Sequence, residues 1–505
     1  MEVCGEAARR APRYAGWGGP RSLPGAPAIP CSLAPCPSSR DPVVPSDPAL
    51  HRPRLPGPAP LDGRGHGLDA PCRDEPRVGW SRRAWLQALA ALGGARVSGA
   101  HAQAPGGQPA APAAPAAPAA PAEGEPVPAA ALDAEVLERL QAALARGVAE
   151  GWMPGAVVHV ERGAASWRRA VGQRAREPVP EPLEESAVYD CASLTKVVCT
   201  ATVVARLMQE GLLRPEDPVR RHLPEFTGGQ AITLRHLLTH SSGLPASLSL
   251  AQPWQGLQAA RERACASVPT HAPGTFFRYS DVNFILLGEI AAGAAGRPLE
   301  GLVQELIFVP LRMRDSGYLP LERHPLARLV PTEWSDSPVA GGSPAEPGAT
   351  MLRGRVHDPT ARRMGGVAGH AGLFSTAADL ARFARMIVRG GELDGARVLS
   401  EAAVARMLAV ASPPALADRR SLGWDVESTF SRARGARYPQ GSAGHTGFTG
   451  CALWIDRASG AFHVLLSNRV HPRTRESIVA IYEEVGTLAA QAAGLPLRPA
   501  PAPAA

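Results

Sequence analysis

Ser193 and Lys196 stand three residues apart in the segment Ser193-Leu194-Thr195-Lys196, and Lys196 is the single lysine among 53 Lys and Arg residues. Arg fills every other such position. A guanidinium keeps its proton at any physiological pH, whereas a buried ammonium can lose it, so a chain that retains one lysine points to a titratable use for it. Val197, Val198, Ala201, Val204, Ala205 and Met208 follow at helical spacing, with Gly211 as a stop, and predict a helix. At a spacing of three, the hydroxyl and the amine share one face. A hydroxyl at a helix start lies near the positive end of the dipole, beside N–H groups free to receive an oxyanion. The chemistry implied is nucleophilic attack by Ser193, with Lys196 holding or taking its proton. Because Ser is also a common helix cap, the pair needs companions.

Two companions follow. Tyr279-Ser280-Asp281 leads into the helical run Asn283 to Ala292, with Ser280 or Asp281 as its cap. A phenol beside a charged lysine can act as base toward a serine hydroxyl and as acid toward a leaving group. Farther on, Gly444-His445-Thr446-Gly447-Phe448-Thr449-Gly450 immediately precedes a strand at Cys451 to Asp456. Its glycines let a substrate approach the strand edge, and the Phe448 N–H is a candidate second oxyanion donor beside that of Ser193.

The order Ser-x-x-Lys, Tyr-Ser-Asp, His-Thr-Gly, with 86 and 166 residues between leading positions, resembles the three-box signature of penicillin-binding proteins and class C β-lactamases. Tyr189 to Ala192, Leu237 to Leu244 and Pro273-Gly274-Thr275 are also similar to that family. His357-Asp358 and the run Gly365 to Ser375 resemble its carboxypeptidase-like members. The resemblance implies Ser193 as nucleophile, Lys196 as its proton partner, Tyr279 as general acid/base, and Asp281, His445, Thr446, Gly447 and Phe448 as substrate contacts. It implies no metal and no organic cofactor. Two positions depart from the lactamase pattern. Asp281 replaces the usual Asn, and a carboxylate only accepts hydrogen bonds. His445 replaces the frequent Lys and would hold a substrate carboxylate less firmly. Both departures favour a D-alanyl-D-alanine carboxypeptidase-like or esterase activity over a β-lactamase; a penicillin-binding sensor or cell-wall-binding module that acylates without turnover is the rival outside enzymes. Expected partners are a small ester, peptide or β-lactam substrate and cell-wall peptides.

Three further features bear on the site. His370 lies in the Gly-rich loop before the Ser375-Thr376 cap and the helix Ala377 to Arg389, and is a candidate at the site border. His240 reads as a structural residue ending a helix before a Ser-Ser-Gly turn, where its ring N–H satisfies terminal carbonyls. Arg382, Arg385 and Arg389 read as a solvated helix face.

Positioning these boxes requires a scaffold. Ala134 to Glu150 has helical periodicity; Gly155 to Glu161 and Ala165 to Val171 read as a hairpin, as do Thr449 to Asp456 and Phe462 to Asn468 around Ala458-Ser459-Gly460. A helix from Arg473 to Ala493 follows. Strand pairs at both ends with helices between predict an α/β (α+β) architecture, a β-lactamase/transpeptidase-like fold. Its antiparallel sheet is built from both termini, flanked by helices and joined to a mostly helical lobe.

The folded unit is expected at residues 131–495, with a disordered tail at 496–505. Much of the high proline content, 52 residues, precedes residue 130. Residues 1–77 lack periodic apolar runs and are expected to be disordered. At 78–103, Ser81-Arg82-Arg83-Ala84-Trp85-Leu86-Gln87, an Ala/Leu run to Leu92 and Ala100-His101-Ala102 read as a twin-arginine export signal, so translation is expected to begin near Val78 and the mature protein to be periplasmic or extracellular. The apolar run is too short to span a bilayer. Residues 104–130 read as an Ala/Pro-rich linker. The net charge of +7 comes mostly from the first 103 residues, so the basic balance does not argue for nucleic acid. Eight Cys show no CxxC or Cys/His ligand spacing; the pairing of Cys191, Cys199, Cys265 and Cys451 is left open.

Overall fold

Period-two alternation sorts the central strands between two cores. Val158 and Val160 face one side with Trp454 and Leu465, while Val157 faces the other with Leu453, Val464 and Leu466. The computed structural model describes residues 131–338, 341–342, 348–474 and 478–499. The expected disordered segment, export signal and linker at 1–130 lie outside the described residues, as do residues 500–505 of the tail.

Among the described residues the main sheet has eight strands, in the spatial order Arg419–Arg420, Asp425–Glu427, Ala443–Gly447, Cys451–Asp456, Ala461–Ser467, Gly155–Arg162, Ala165–Ala175, Glu181–Pro182. Ala156 pairs with Ser467 and Arg162 with Ala461, antiparallel, so the two chain ends meet at the centre of the sheet. On the outer face the helix Ala134–Ala149 packs against Val479–Ala492. Asp133 caps the first helix by accepting the Val136 N–H at 3.1 Å, and Leu140 and Leu144 are fully buried beneath it, each worth about 2 kcal/mol.

The inner face carries the helical lobe: Lys196–Ala201 continuing into Thr202–Gln209, Asp281–Ala295, and Ala377–Val388. The expected architecture is present. Boundaries differ locally: the predicted 193–211 helix starts as a π-helical turn over Lys196–Ala201, and the C-terminal helix begins at Val479 rather than Arg473. A widened turn of this kind recurs where a helix must aim a side chain into a site. The arginine face is corrected. Arg385 pairs with Glu161 at 2.5 Å and Arg382 with Asp394 at 2.5 Å, so two of these three arginines tie the helix down. Cys191, Cys199, Cys265 and Cys451 are buried free thiols.

Candidate active site

The turn that presents Ser193 is held from three sides. The buried carboxylate of Asp190 accepts the N–H of Ala192 at 2.9 Å and of His357 at 2.7 Å, and its carbonyl accepts the Thr449 hydroxyl at 2.7 Å. Ala192 itself has φ 44°, a left-handed conformation that a residue with a Cβ adopts only when its surroundings over-determine it. Thr195 then donates to the Ala192 carbonyl at 2.6 Å and accepts the Leu373 N–H at 3.0 Å, strapping the 369–373 loop against the turn. That loop fits because Gly369 has no side chain: a Cβ there would lie 2.0 Å from the Phe284 carbonyl oxygen.

Lys196 is fully buried, and its Nζ reaches Ser193 Oγ at 3.0 Å, the His370 carbonyl at 3.1 Å and Asp281 Oδ1 at 2.7 Å. Three acceptors match the three donors of an ammonium. Burial pulls its pKa down, but the Asp281 carboxylate and the Tyr279 phenol outweigh burial, and the net shift is upward from 10.5. The expectation that this lysine gives up its charge is therefore corrected: in the resting site it is held as the cation. Asp281, expected as a substrate contact, is its counter-ion, with 24% of its side chain still exposed.

Tyr279 stands over this cluster, with Lys196 Nζ 4.9 Å from its ring centroid. Its ring is walled by His240 at 4.5 Å, Phe430 at 5.5 Å and His445 at 5.9 Å. His240 departs from its expected role as a carbonyl cap. Its Nδ1 accepts the Ser280 N–H at 3.1 Å, so it carries its proton on Nε2, and the stacked ring fixes Tyr279. Burial, with Arg420 and Lys196 nearby, holds His240 well below its ordinary pKa of 6.5.

His445 donates from Nδ1 to the Thr446 carbonyl at 2.8 Å, which leaves Nε2 as a buried acceptor with no partner among the described residues. Burial first, then Arg420 and Lys196, keep its pKa well below 6.5, so the ring is neutral. Thr446 and Phe448 line the cleft beside it. Gly447 touches the nucleophile turn: a Cβ there would lie 2.5 Å from the Cys191 carbonyl oxygen. The backbone hydrogen bonds among the described residues leave the Ser193 and Phe448 amides unused, as oxyanion donors must be.

The cleft has two lobes, of about 270 and 250 Å³, and Ser193, Tyr279 and Phe448 line both. The second lobe is floored by Asp281, His357 and Asp358. His370 borders this floor, with Nε2 2.9 Å from Asp358 Oδ1 and its carbonyl on Lys196. Burial would raise Asp358, but His370, the Ala361 N–H and Lys196 outweigh it and hold the carboxyl well below the usual range. Asp281, Asp358 and His370 offer ligand atoms within 4.8 Å of one another; Lys196 already pairs with Asp281, and His370 with Asp358. A separate hollow of about 360 Å³ around Leu319, Gly354 and Phe374 holds none of the candidate residues. Sequence reasoning missed three contributors: His240 as a wall, Asp358 as the partner of His370, and Arg420, which lines the first lobe from the two-residue edge strand Arg419–Arg420, too short to leave a periodic signal.

A sheet closed by both chain ends, with a serine, lysine and tyrosine converging beneath it, defines a serine hydrolase of the penicillin-binding and β-lactamase superfamily. The chain belongs to the β-lactamase family, whose family model, described as Beta-lactamase, matches residues 140–485. It is 30% identical over 312 residues to a protein named "Putative D-alanyl-D-alanine carboxypeptidase" from Escherichia coli (strain K12), covering 58% of this chain and 71% of that one. It is 29% identical over 366 residues to the N-acetylmuramyl-L-alanine amidase of Bacillus subtilis (strain 168), covering 66% and 81% respectively. Similar solved structures are EstCE1, a hydrolase with promiscuous acyltransferase activity (TM-score 0.56, 19% identity, 70% of this chain and 98% of that one), and the D-amino acid amidase from Ochrobactrum anthropi SV3 complexed with D-phenylalanine (TM-score 0.55, 21% identity, 71% and 99%). The structural likenesses concern the fold alone.

Proposed function

We propose that the protein is an exported hydrolase that acylates Ser193 and releases the acyl group to water, acting on an amide or ester of the D-alanyl-D-alanine carboxypeptidase type. The observation that carries this reading is the contact of Lys196 Nζ with Ser193 Oγ at 3.0 Å, in which the ammonium donates and the serine proton stays free to leave. In this reading Tyr279, as the phenolate beside the Lys196 ammonium, takes that proton to become the phenol and later gives it to the leaving group, while Lys196 remains charged and stabilises the anions that form. The amides of Ser193 and Phe448 receive the oxyanion. Cell-wall peptide substrates are supported by the names of the carboxypeptidase and amidase relatives. A β-lactam is the less favoured substrate, because Asp281 is engaged by Lys196 and cannot donate to a lactam side-chain amide.

The test is intact-mass analysis of the protein after exposure to a fluorophosphonate and to a penicillin, followed by rates on a p-nitrophenyl ester, a D-Ala-D-Ala peptide and nitrocefin. A single adduct on the Ser193 peptide that is lost in Ser193→Ala supports the reading, and an adduct retained in that variant overturns it. Burst labelling without steady turnover on any substrate would make the protein a penicillin-binding sensor instead. Export is tested by mass spectrometry of the native N-terminus; peptides from residues 1–77 in the mature protein would overturn the proposed start.

A further inference from the structure

The turn Gly447-Phe448-Thr449-Gly450 joins two central strands, Ala443–Gly447 and Cys451–Asp456, and carries the proposed second oxyanion donor, the Phe448 N–H. Each carbonyl of the turn is held. That of Gly447 accepts the Gly450 N–H at 3.0 Å, which closes the turn, and the Tyr482 hydroxyl at 3.2 Å. That of Phe448 accepts Arg469 Nε at 2.8 Å, that of Thr449 the Arg469 N–H at 2.9 Å, and that of Gly450 the Ser467 hydroxyl at 2.9 Å. Ser467 and Arg469 end or follow the strand that pairs with Cys451–Asp456, so they move with the turn. Tyr482 comes from elsewhere. It belongs to the helix Val479–Ala492 on the outer face, with its ring buried beside Ile481 and Val485 in the core that lies away from the cleft.

The Tyr482 contact falls on the peptide unit that matters most for an oxyanion. The Gly447 carbonyl and the Phe448 N–H belong to one planar trans peptide and point in opposite directions. A donor that fixes the carbonyl from behind therefore aims the N–H forward, where Gly447 abuts the nucleophile turn: a Cβ there would lie 2.5 Å from the Cys191 carbonyl oxygen and 3.4 Å from Ala192 Cβ. A carbonyl oxygen offers two lone pairs, and Gly450 and Tyr482 take both. Rotating this peptide out of alignment would break both bonds.

We infer that Tyr482 is a positioning residue for the oxyanion site, holding the Phe448 N–H in line with Ser193 from the layer behind the sheet. The inference rests on the proposed hydrolase reading and goes beyond it by making the aim of an oxyanion donor depend on the C-terminal helix.

Tyr482→Phe removes the hydroxyl and keeps the buried ring. Loss of a whole oxyanion donor lowers kcat by about 10²–10³. A donor that stays but is no longer held should lower kcat on a p-nitrophenyl ester by about tenfold, with KM within about twofold of wild type. Affinity for an alkylboronic acid, whose tetrahedral adduct on Ser193 uses the same donor, should fall by a similar factor. Tyr438→Phe is the control. Tyr438 is buried in the same core with its hydroxyl 3.0 Å from His463 Nδ1, so its variant should unfold at a lower temperature while keeping wild-type kcat and boronate affinity. Wild-type kcat and boronate affinity in Tyr482→Phe overturn the assignment. An equal loss of kcat in Tyr438→Phe also overturns it, since the effect would then be a general loosening of the outer layer. Absence of a boronate adduct on Ser193 in the wild type would instead overturn the hydrolase reading, and this inference with it.

Discussion

The His240 ring stacks on Tyr279 with centroids 4.5 Å apart, while its Nδ1 holds the N–H of Ser280, the residue next to that phenol. One imidazole therefore fixes both the ring and the backbone of the second box. Its own φ of 55° is left-handed, where Asn is tolerated and most side chains are strained by about 1–2 kcal/mol. His240→Leu should lower kcat by about tenfold or more with little change in KM, since it loosens a positioned base. His240→Asn, which fits the backbone and can accept the Ser280 N–H, should recover stability relative to Leu by about 1–2 kcal/mol. Thermal unfolding and steady-state kinetics check both, and equal stability of the two variants would sink the account.

Lys196 donates to three acceptors arranged around one nitrogen, a geometry that a planar guanidinium cannot reproduce in a fully buried position. Lys196→Arg should reduce kcat/KM by about a thousandfold, although the charge is kept. Activity within tenfold of wild type would show that the charge alone suffices.

Because the fold raises the Lys196 pKa, its stabilising contribution is complete below the ordinary value of 10.5 and is lost as pH rises through the higher folded value. In Asp281→Asn the largest opposing group is gone and burial pulls the lysine down. That variant should begin to lose activity and stability at lower alkaline pH than wild type. Superimposable alkaline limbs would contradict the ion pair.

On the acid side, burial lowers His463 to about 3 and His471 to about 4, and the His357 and Thr474 contacts hold the buried Glu333 at about 2. All three bind protons more readily when unfolded, so their contribution is present above the unfolded values and lost as pH falls from about 6.5 toward 3. Unfolding temperature should drop over that window. In His463→Gln the drop should be shallower, as followed by calorimetry at one-unit steps.

Gly447 brings the third box against the Cys191 carbonyl. Gly447→Ala should push the strand away from the nucleophile turn and misplace the Phe448 amide, lowering kcat by about a hundredfold, with the protein still folded by circular dichroism. An unaltered kcat would remove Phe448 from the oxyanion site.

Much of this arrangement was legible in the chain itself, because local chemistry set it. The Ser193, Tyr279 and His445 boxes do converge, and both terminal hairpins pair as their alternation predicted. What escaped was decided by packing between distant segments. Nothing around His240 marks it as the wall of a phenol 39 positions later, and Arg420 is one arginine among many until the fold closes a lobe around it. The state of Lys196 was misread for the same reason: burial was foreseeable from its apolar neighbours, but the compensating carboxylate of Asp281 comes from another helix. Arg385 was taken as solvated since its salt-bridge partner, Glu161, lies on a strand 224 residues earlier.

The pairing of Gly155–Arg162 with Ala461–Ser467 also governs how the polypeptide can be made. A ribosome releases the first of these segments some three hundred residues before the second, and until the later one emerges the earlier presents an open, apolar edge to its surroundings. Assembly is thus a late and non-local event, slow by nature and dependent on protection from self-association in the interval. A chain stopped anywhere short of Ser467 would lack the central rung of its own sheet, so premature termination should yield aggregates rather than a smaller working hydrolase.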